Sequence, residues 1–122
     1  MSERAVKNLL QTAKLLRRVD PAMPMQQFHV LLFVYQNPLV PHGRIGQALR
    51  LRTSAVSRIV DRLSRRMKSG DKGLGLVSTT TNPGRPSTRL VTLTPKGKRL
   101  IAEVCAVYGP ESGIVPPEGT WS

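Results

Sequence analysis

Residues 45–63, IGQALRLRTSAVSRIVDRL, divide into two helical pieces joined by a tight turn. In the first piece Ile45, Ala48 and Leu49 recur at helical spacing, and Gly46 is small enough for another helix to approach closely. Leu51 then plugs the turn. In the second piece Val56, Ile59, Val60, Leu63 and Met67 share one side, the spacing of a helix laid on a core. The opposite side carries Ser54, Ser57, Arg58, Asp61, Arg62 and Arg65. Short hydroxyls followed by guanidiniums suit a DNA major groove. Hydroxyls near a helix N-terminus reach base edges or phosphates, and arginine offers the planar fork that matches guanine or phosphate. The stretch therefore predicts a helix-turn-helix over residues 45–67.

Charge points the same way. The chain has 122 residues, 19 Lys/Arg against 7 Asp/Glu, and a formal net charge of +12. Between Arg44 and Arg99 stand fourteen Lys/Arg, with Asp61 and Asp71 the only acids, so this half carries the whole excess. A basic field confined to one half argues for a polyanionic partner, here double-stranded DNA. The length suits one domain with a modest core. The single cysteine excludes an intramolecular disulfide framework and fits a reducing compartment. With no apolar run of membrane-spanning length and no signal-peptide core, the expectation is a cytoplasmic protein, nucleoid-associated when bound, with no membrane partner.

Outward from the helix-turn-helix, residues 3–19 predict an amphipathic helix with Val6, Leu9, Leu10, Ala13 and Leu16 as its core stripe. Leu15 falls off that stripe and hints at a second apolar contact such as a dimer seam. Prolines at 21 and 24 interrupt the chain. A second helix, Met25 to Gln36, is apolar almost all round and belongs at the centre of the domain. After Met67, KSGDKGLG has loop composition. LVSTTT and STRLVTLT then flank Asn82-Pro83-Gly84-Arg85-Pro86, predicting a β-hairpin with a basic tip and a type II turn at Pro83-Gly84. Thr94-Pro95 supplies an N-cap and a first-turn proline for a last helix bearing Leu100, Ile101 and Val104. The predicted fold is mainly α with a small β-hairpin wing (α+β), a winged helix-turn-helix. One domain covers 1–108, with the wing at 74–93, and a Pro/Gly-rich tail covers 109–122, extended or mobile, holding Pro116-Pro117 and Trp121.

The segments MQQFHVLLFVYQNP, RIGQALRL, TSAVSRIVDRLSRR, GLV and RLVTLTPKGKRL, in that order, resemble the MarR family of bacterial transcriptional regulators over roughly residues 25–107. Val56-Ser57-Arg58 with Asp61-Arg62-Leu63, and Leu93-Thr94-Pro95-Lys96-Gly97 after the wing, are the most specific pieces. The resemblance implies a winged helix, usually dimeric, that binds pseudo-palindromic operators with its recognition helix in the major groove and its wing in the minor groove. The chain departs from the family pattern in three places. SRRMKSGDKGLGLV is several residues longer than the usual passage into the wing. Arg50 stands where the turn often has glycine. The long C-terminal dimerisation helix has no counterpart in GPESGIVPPEGTWS, so this is a short variant in which a homodimer is an open expectation.

The DNA-binding candidates are Arg52, Thr53, Ser54, Ser57 and Arg58 on the recognition helix, the last four for base edges. Arg62, Arg65 and Arg66 are expected at phosphates. Arg85 at the hairpin tip suits a narrow A·T-rich minor groove. Arg89 and Arg44 are phosphate candidates, while His42 reads as a plain loop residue and His29 as a core or boundary histidine. Cys105 reads as a small buried hydrophobe. One cysteine and two distant histidines offer no metal spacing, and no phosphate-binding glycine loop or nucleophile elbow is present. No metal, cofactor or catalytic residue is expected. Three functions remain open: a sequence-specific transcriptional regulator, more a repressor than an activator; an architectural or replication/partition DNA binder; and a winged-helix protein-interaction module.

Overall fold

A helix that is apolar round most of its circumference needs cover on every side. The computed structural model describes residues 3–109, and it gives the Met25–Gln36 helix that cover. The elements run α1 (Glu3–Val19), α2 (Met25–Gln36), β1 (Val40–Pro41), α3 (His42–Leu49), α4 (Thr53–Leu63), β2 (Val77–Asn82), β3 (Arg85–Leu93) and α5 (Pro95–Tyr108). Val30, Leu31 and Val34 of α2 are buried, and α2 touches α3, α4, α5 and β3. Ile45, Val56, Leu63, Leu76, Val91 and Ile101 complete the same core. Five helices and a three-stranded antiparallel sheet of order β1-β3-β2 make a winged helix, mainly α with a small β wing. The tail lies outside the described residues from Pro110 onward.

The ends of the helix-turn-helix differ from expectation. α3 begins at His42 rather than Ile45, and α4 stops at Leu63, leaving Met67 off the helix. The last carbonyls of a helix have no partner inside it, and here the returning chain supplies one. The Leu74 amide donates to the Arg62 carbonyl at 3.0 Å, and the Leu76 amide to the Leu63 carbonyl at 2.8 Å. Gly73 makes this return feasible, because a Cβ there would run into the Ser64 carbonyl. Residues 64–75 therefore form an ordered excursion that ends α4 and delivers Leu74 and Leu76 to the core.

The wing strands are shorter than 74–93 but lie within it. The tip is not type II, since Gly84 is absent from the positive-φ residues that such a turn requires. Instead the Asn82 Oδ1 accepts from the Gly84 amide at 3.0 Å, an Asx turn, and the strand register shifts between Thr81 and Asn82. β1 carries no sequence signal of its own. Its two residues pair as Val40↔Val91 and Pro41↔Leu90, too short a run for any periodicity to reveal.

The cap of α5 forms as expected, with the Thr94 Oγ1 accepting from the Gly97 amide at 3.1 Å. The same hydroxyl donates to the Gly75 carbonyl at 2.7 Å. Gly97 packs so tightly on the Leu76 backbone that a Cβ would collide with the carbonyl. The start of α5 is thus bolted to the root of the wing.

α1 is rotated from its expected orientation: Leu16 is buried as expected, but Leu15, expected off the core stripe as a second contact such as a dimer seam, is buried beside it. Thr12, Leu15 and Leu16 are its buried residues, whereas Val6, Leu9 and Leu10 are exposed. α1 packs along α5, where the Thr12 hydroxyl lies 3.4 Å from the Tyr108 hydroxyl. That contact selects the Thr12/Leu15/Leu16 side and leaves the Val6/Leu9/Leu10 stripe facing outward.

Candidate nucleic-acid interface

α4 owes its position to what lies behind it. Val56, Val60 and Leu63 are buried at the core, and the turn before it is closed by the Leu51 amide donating to the Gly46 carbonyl at 2.9 Å. Arg50 ends α3 in the left-handed conformation, with φ 56° and ψ 46°. A left-handed residue at that point swings the chain into α4, a conformation glycine takes most readily. Arginine occupies it nonetheless.

The sequence candidates on α4 come together on its outward side. Arg52 occupies the N-cap position, followed by Thr53 and Ser54, and all three are exposed. Arg58 is exposed one turn further on and has no acidic partner among the described residues. Ser57 is half-buried because it turns toward the wing. α4 thus presents two flanks. Arg58 and Arg62 border a shallow groove against Pro24 and Gln26 at the start of α2. Ser57 and Asp61 line a deeper cleft of about 640 Å³ toward the wing.

Two arginines stand differently from expectation. Arg62 does not stand free as a phosphate-contacting side chain. Its guanidinium lies 3.9 Å from the Asp20 carboxylate, which is largely buried and accepts from the Gln27 amide nitrogen at 3.0 Å. This Asp20–Gln27–Arg62 group ties α4 to the α1–α2 corner, and part of the Arg62 charge is engaged inside the protein. Arg65 is exposed but sits past the end of α4, on the excursion, where it lines the wing cleft with Arg66.

Arg85 opens β3 at the exposed wing tip, opposite Asn82. Arg89 lies lower on the same strand and reaches back to donate from its guanidinium to the Thr79 hydroxyl at 3.1 Å, which holds it over the cleft. Arg44 is exposed on the first turn of α3. Lys96, by contrast, donates from its ammonium to the Leu74 carbonyl at 2.8 Å and braces the wing root.

Two further residues join this surface. His42 opens α3 and lines the wing cleft, not a plain loop. Its Nε2 is shut off from solvent without a hydrogen-bond partner, and burial, reinforced by Arg89 and Lys68, holds its pKa below the ordinary 6.5. Lys68 lines the cleft from the excursion. Neither carries a sequence signal of its own; only the return of the excursion beside the wing brings them in. The other titratable candidates lie elsewhere. His29 is exposed on α2, and Cys105 is half-buried on α5 with its thiol pKa raised by burial. Among the described residues no cluster of three His, Cys, Asp or Glu could hold a metal, and no helix is long and apolar enough to cross a membrane.

No protein-family model matches the chain, and no curated protein sequence does. Solved structures do share its fold. A MepR–DNA complex from S. aureus aligns with a TM-score of 0.70 at 18% identity, over 88% of this chain and 81% of that one. A mutant MarR from E. coli complexed with operator DNA aligns with a TM-score of 0.62 at 21% identity, over 89% and 74%. A MarR family transcription regulator gives 0.65 at 21% identity, over 89% and 66%. The likeness is one of fold.

Proposed function

From the MarR-type winged-helix fold of this chain, we propose that it is a sequence-specific double-stranded DNA-binding transcriptional regulator, acting as a repressor by occupying a promoter. One observation carries the reading. The exposed side of α4, the wing tip and the concentrated cations of residues 44–99 lie on elements joined around one cleft, and among the described residues Arg62 is the cation of this group that an acid, Asp20, partly engages. MepR and MarR, whose folds it shares, have been seen on DNA.

α4 enters the major groove with Thr53, Ser54, Ser57 and Arg58 toward base edges, and Arg52 beside them at the groove mouth. Arg85 reaches into the adjacent minor groove, where negative potential deepens over A·T-rich sequence. Arg44, Arg65, Arg66 and Arg89 meet phosphates and set affinity and register without reading sequence. Arg62 contributes there only with the charge that Asp20 leaves it.

The test is fluorescence anisotropy on the duplex upstream of the chain's own gene against a scrambled duplex of equal length, from ~50 to ~200 mM salt. A preference of about a hundredfold that survives the higher salt is expected. Arg58→Ala should then cost on the order of ten- to a hundredfold in discrimination, the worth of one bidentate base contact of ~1–3 kcal/mol. Equal affinities that vanish together with salt would instead make this an architectural DNA binder. Binding to neither duplex would leave the protein-interaction reading.

A further inference from the structure

The excursion between α4 and the wing has a use of its own. Residues 66–72 form a miniature hairpin, bridged antiparallel between Arg66 and Lys72. The Met67 amide donates to the Asp71 carbonyl at 2.8 Å, and the Gly70 amide to the Met67 carbonyl at 2.9 Å. Further bonds hold its base, from the Gly73 amide to the Arg65 carbonyl at 3.0 Å and from the Lys68 amide to the Asp61 carboxylate at 2.8 Å. A linker that only joined α4 to β2 would need none of this.

Its charges are arranged against its own interest. Residues bridged across an antiparallel pair project on the same side, so Arg66 and Lys72 stand together as like charges, an arrangement that weakens a hairpin. The nearby acids are occupied elsewhere. Asp71 accepts from the Ser69 hydroxyl at 3.0 Å, and Asp61 holds the Lys68 amide. Arg65, Arg66, Lys68 and Lys72 are all exposed. Lys68 also faces Arg89 of the wing across the same cleft.

We propose that this hairpin is a second basic arm, which with Arg89 grips the phosphate backbone of duplex DNA at the lip of the groove that α4 enters. The inference rests on the DNA-binding reading above and adds Lys68 and Lys72 to it. The arm leaves α4 at its C-terminal end, while the base-reading hydroxyls sit at the N-terminal end. It therefore meets backbone rather than base edges. Its contacts raise affinity for every duplex alike.

The experiment is the salt dependence of binding for the full chain and for the Lys68→Gln/Lys72→Gln double variant, on the upstream and scrambled duplexes. Lys7→Gln/Lys14→Gln on exposed α1 removes the same charge far from the cleft. Each neutralised phosphate contributes about 0.9 to the slope of log K against log salt. The arm variant should lose nearly 2 from that slope per bound subunit, with the ratio between the two duplexes unchanged, while the α1 variant keeps the parent slope. Circular dichroism should be the same for all three, and the arm variant should melt no lower than the parent, since it relieves the Arg66–Lys72 repulsion. An unchanged slope in the arm variant, or equal losses in both variants, overturns the arm while leaving the regulator reading intact. Failure of the parent chain to bind either duplex overturns both.

Discussion

α1 and α4 are both amphipathic helices that read clearly from sequence, and they teach opposite lessons. α4 has one apolar side, with Val56, Val60 and Leu63 buried and hydroxyls and arginines outward. α1 has apolar residues on two sides, Leu15 and Leu16 inward against α5 and Val6, Leu9 and Leu10 outward. Periodicity identifies a stripe but not what covers it. Where one stripe exists the core must take it; where two exist, packing decides. A helix that keeps a second apolar stripe has a second surface to fill.

The largest expected effect separates these two kinds of leucine. Leu63 of α4 is fully buried, whereas Leu10 of α1 is 57% exposed. Leu63→Ala should cost ~2–5 kcal/mol in urea unfolding through lost transfer energy and a residual cavity. Leu10→Ala, measured on a chain dilute enough to be monomeric, should stay within about 0.5 kcal/mol. Equal costs under that condition would mean that the outer stripe is buried within the single chain.

The outer stripe itself is expected to pair with a second copy, as a two-fold operator would require. The parent chain should then sediment as a dimer at micromolar concentration, and Leu9→Lys/Leu10→Lys as a folded monomer with weakened operator binding. A monomeric parent would reduce the stripe to ordinary surface.

What the sequence revealed follows the same division. The α2 core helix, the two helices of the motif, the basic hairpin and the Thr94 cap rest on local signals: continuous apolarity, helical spacing, Thr/Val-rich flanks, and a hydroxyl before proline. Each is satisfied within a few residues. The end of α4, β1, the outward stripe of α1 and the His42 site depend on partners far along the chain. Leu63 ends its helix because Leu76 returns to it, and Val40 becomes a strand because Val91 is beside it. Among the site residues, Thr53, Ser54, Arg58 and Arg85 stand exposed where local reasoning put them. The engagement of Arg62 needed Asp20, forty-two residues away, and no local pattern carries that.

A smaller effect probes the cleft beside α4. Burial, with Arg89 and Lys68 nearby, holds the His42 pKa in the folded chain below its ordinary 6.5. As pH falls through 6.5 the unfolded chain takes up a proton that the folded chain refuses, so this group favours unfolding on acidification. Relative to His42→Gln, the parent chain should therefore lose more stability between pH 7 and 5.5. Matching losses in the two proteins would show that His42 does not titrate differently on folding.

The smallest expected effect lies in the turn that aims α4. Arg50 holds φ 56°, where a Cβ crowds the following carbonyl at a cost of ~1–2 kcal/mol. Glycine there removes that crowding but loses more chain entropy on folding, worth ~0.4–1 kcal/mol. Strain relief exceeds the entropy loss, so Arg50→Gly should gain about 0.5 kcal/mol, or about 2 °C in melting temperature for a chain of this size. Arg50→Ala is the necessary companion, because it removes the same guanidinium while keeping the Cβ. If glycine raises the melting point and alanine does not, the left-handed backbone is the cause. If both raise it alike, the gain comes from removing one cation from a crowded basic surface, and the turn is unstrained. In the first case the relaxed turn leaves α4 on the same core residues, so operator discrimination should be unchanged in the stabilised variant.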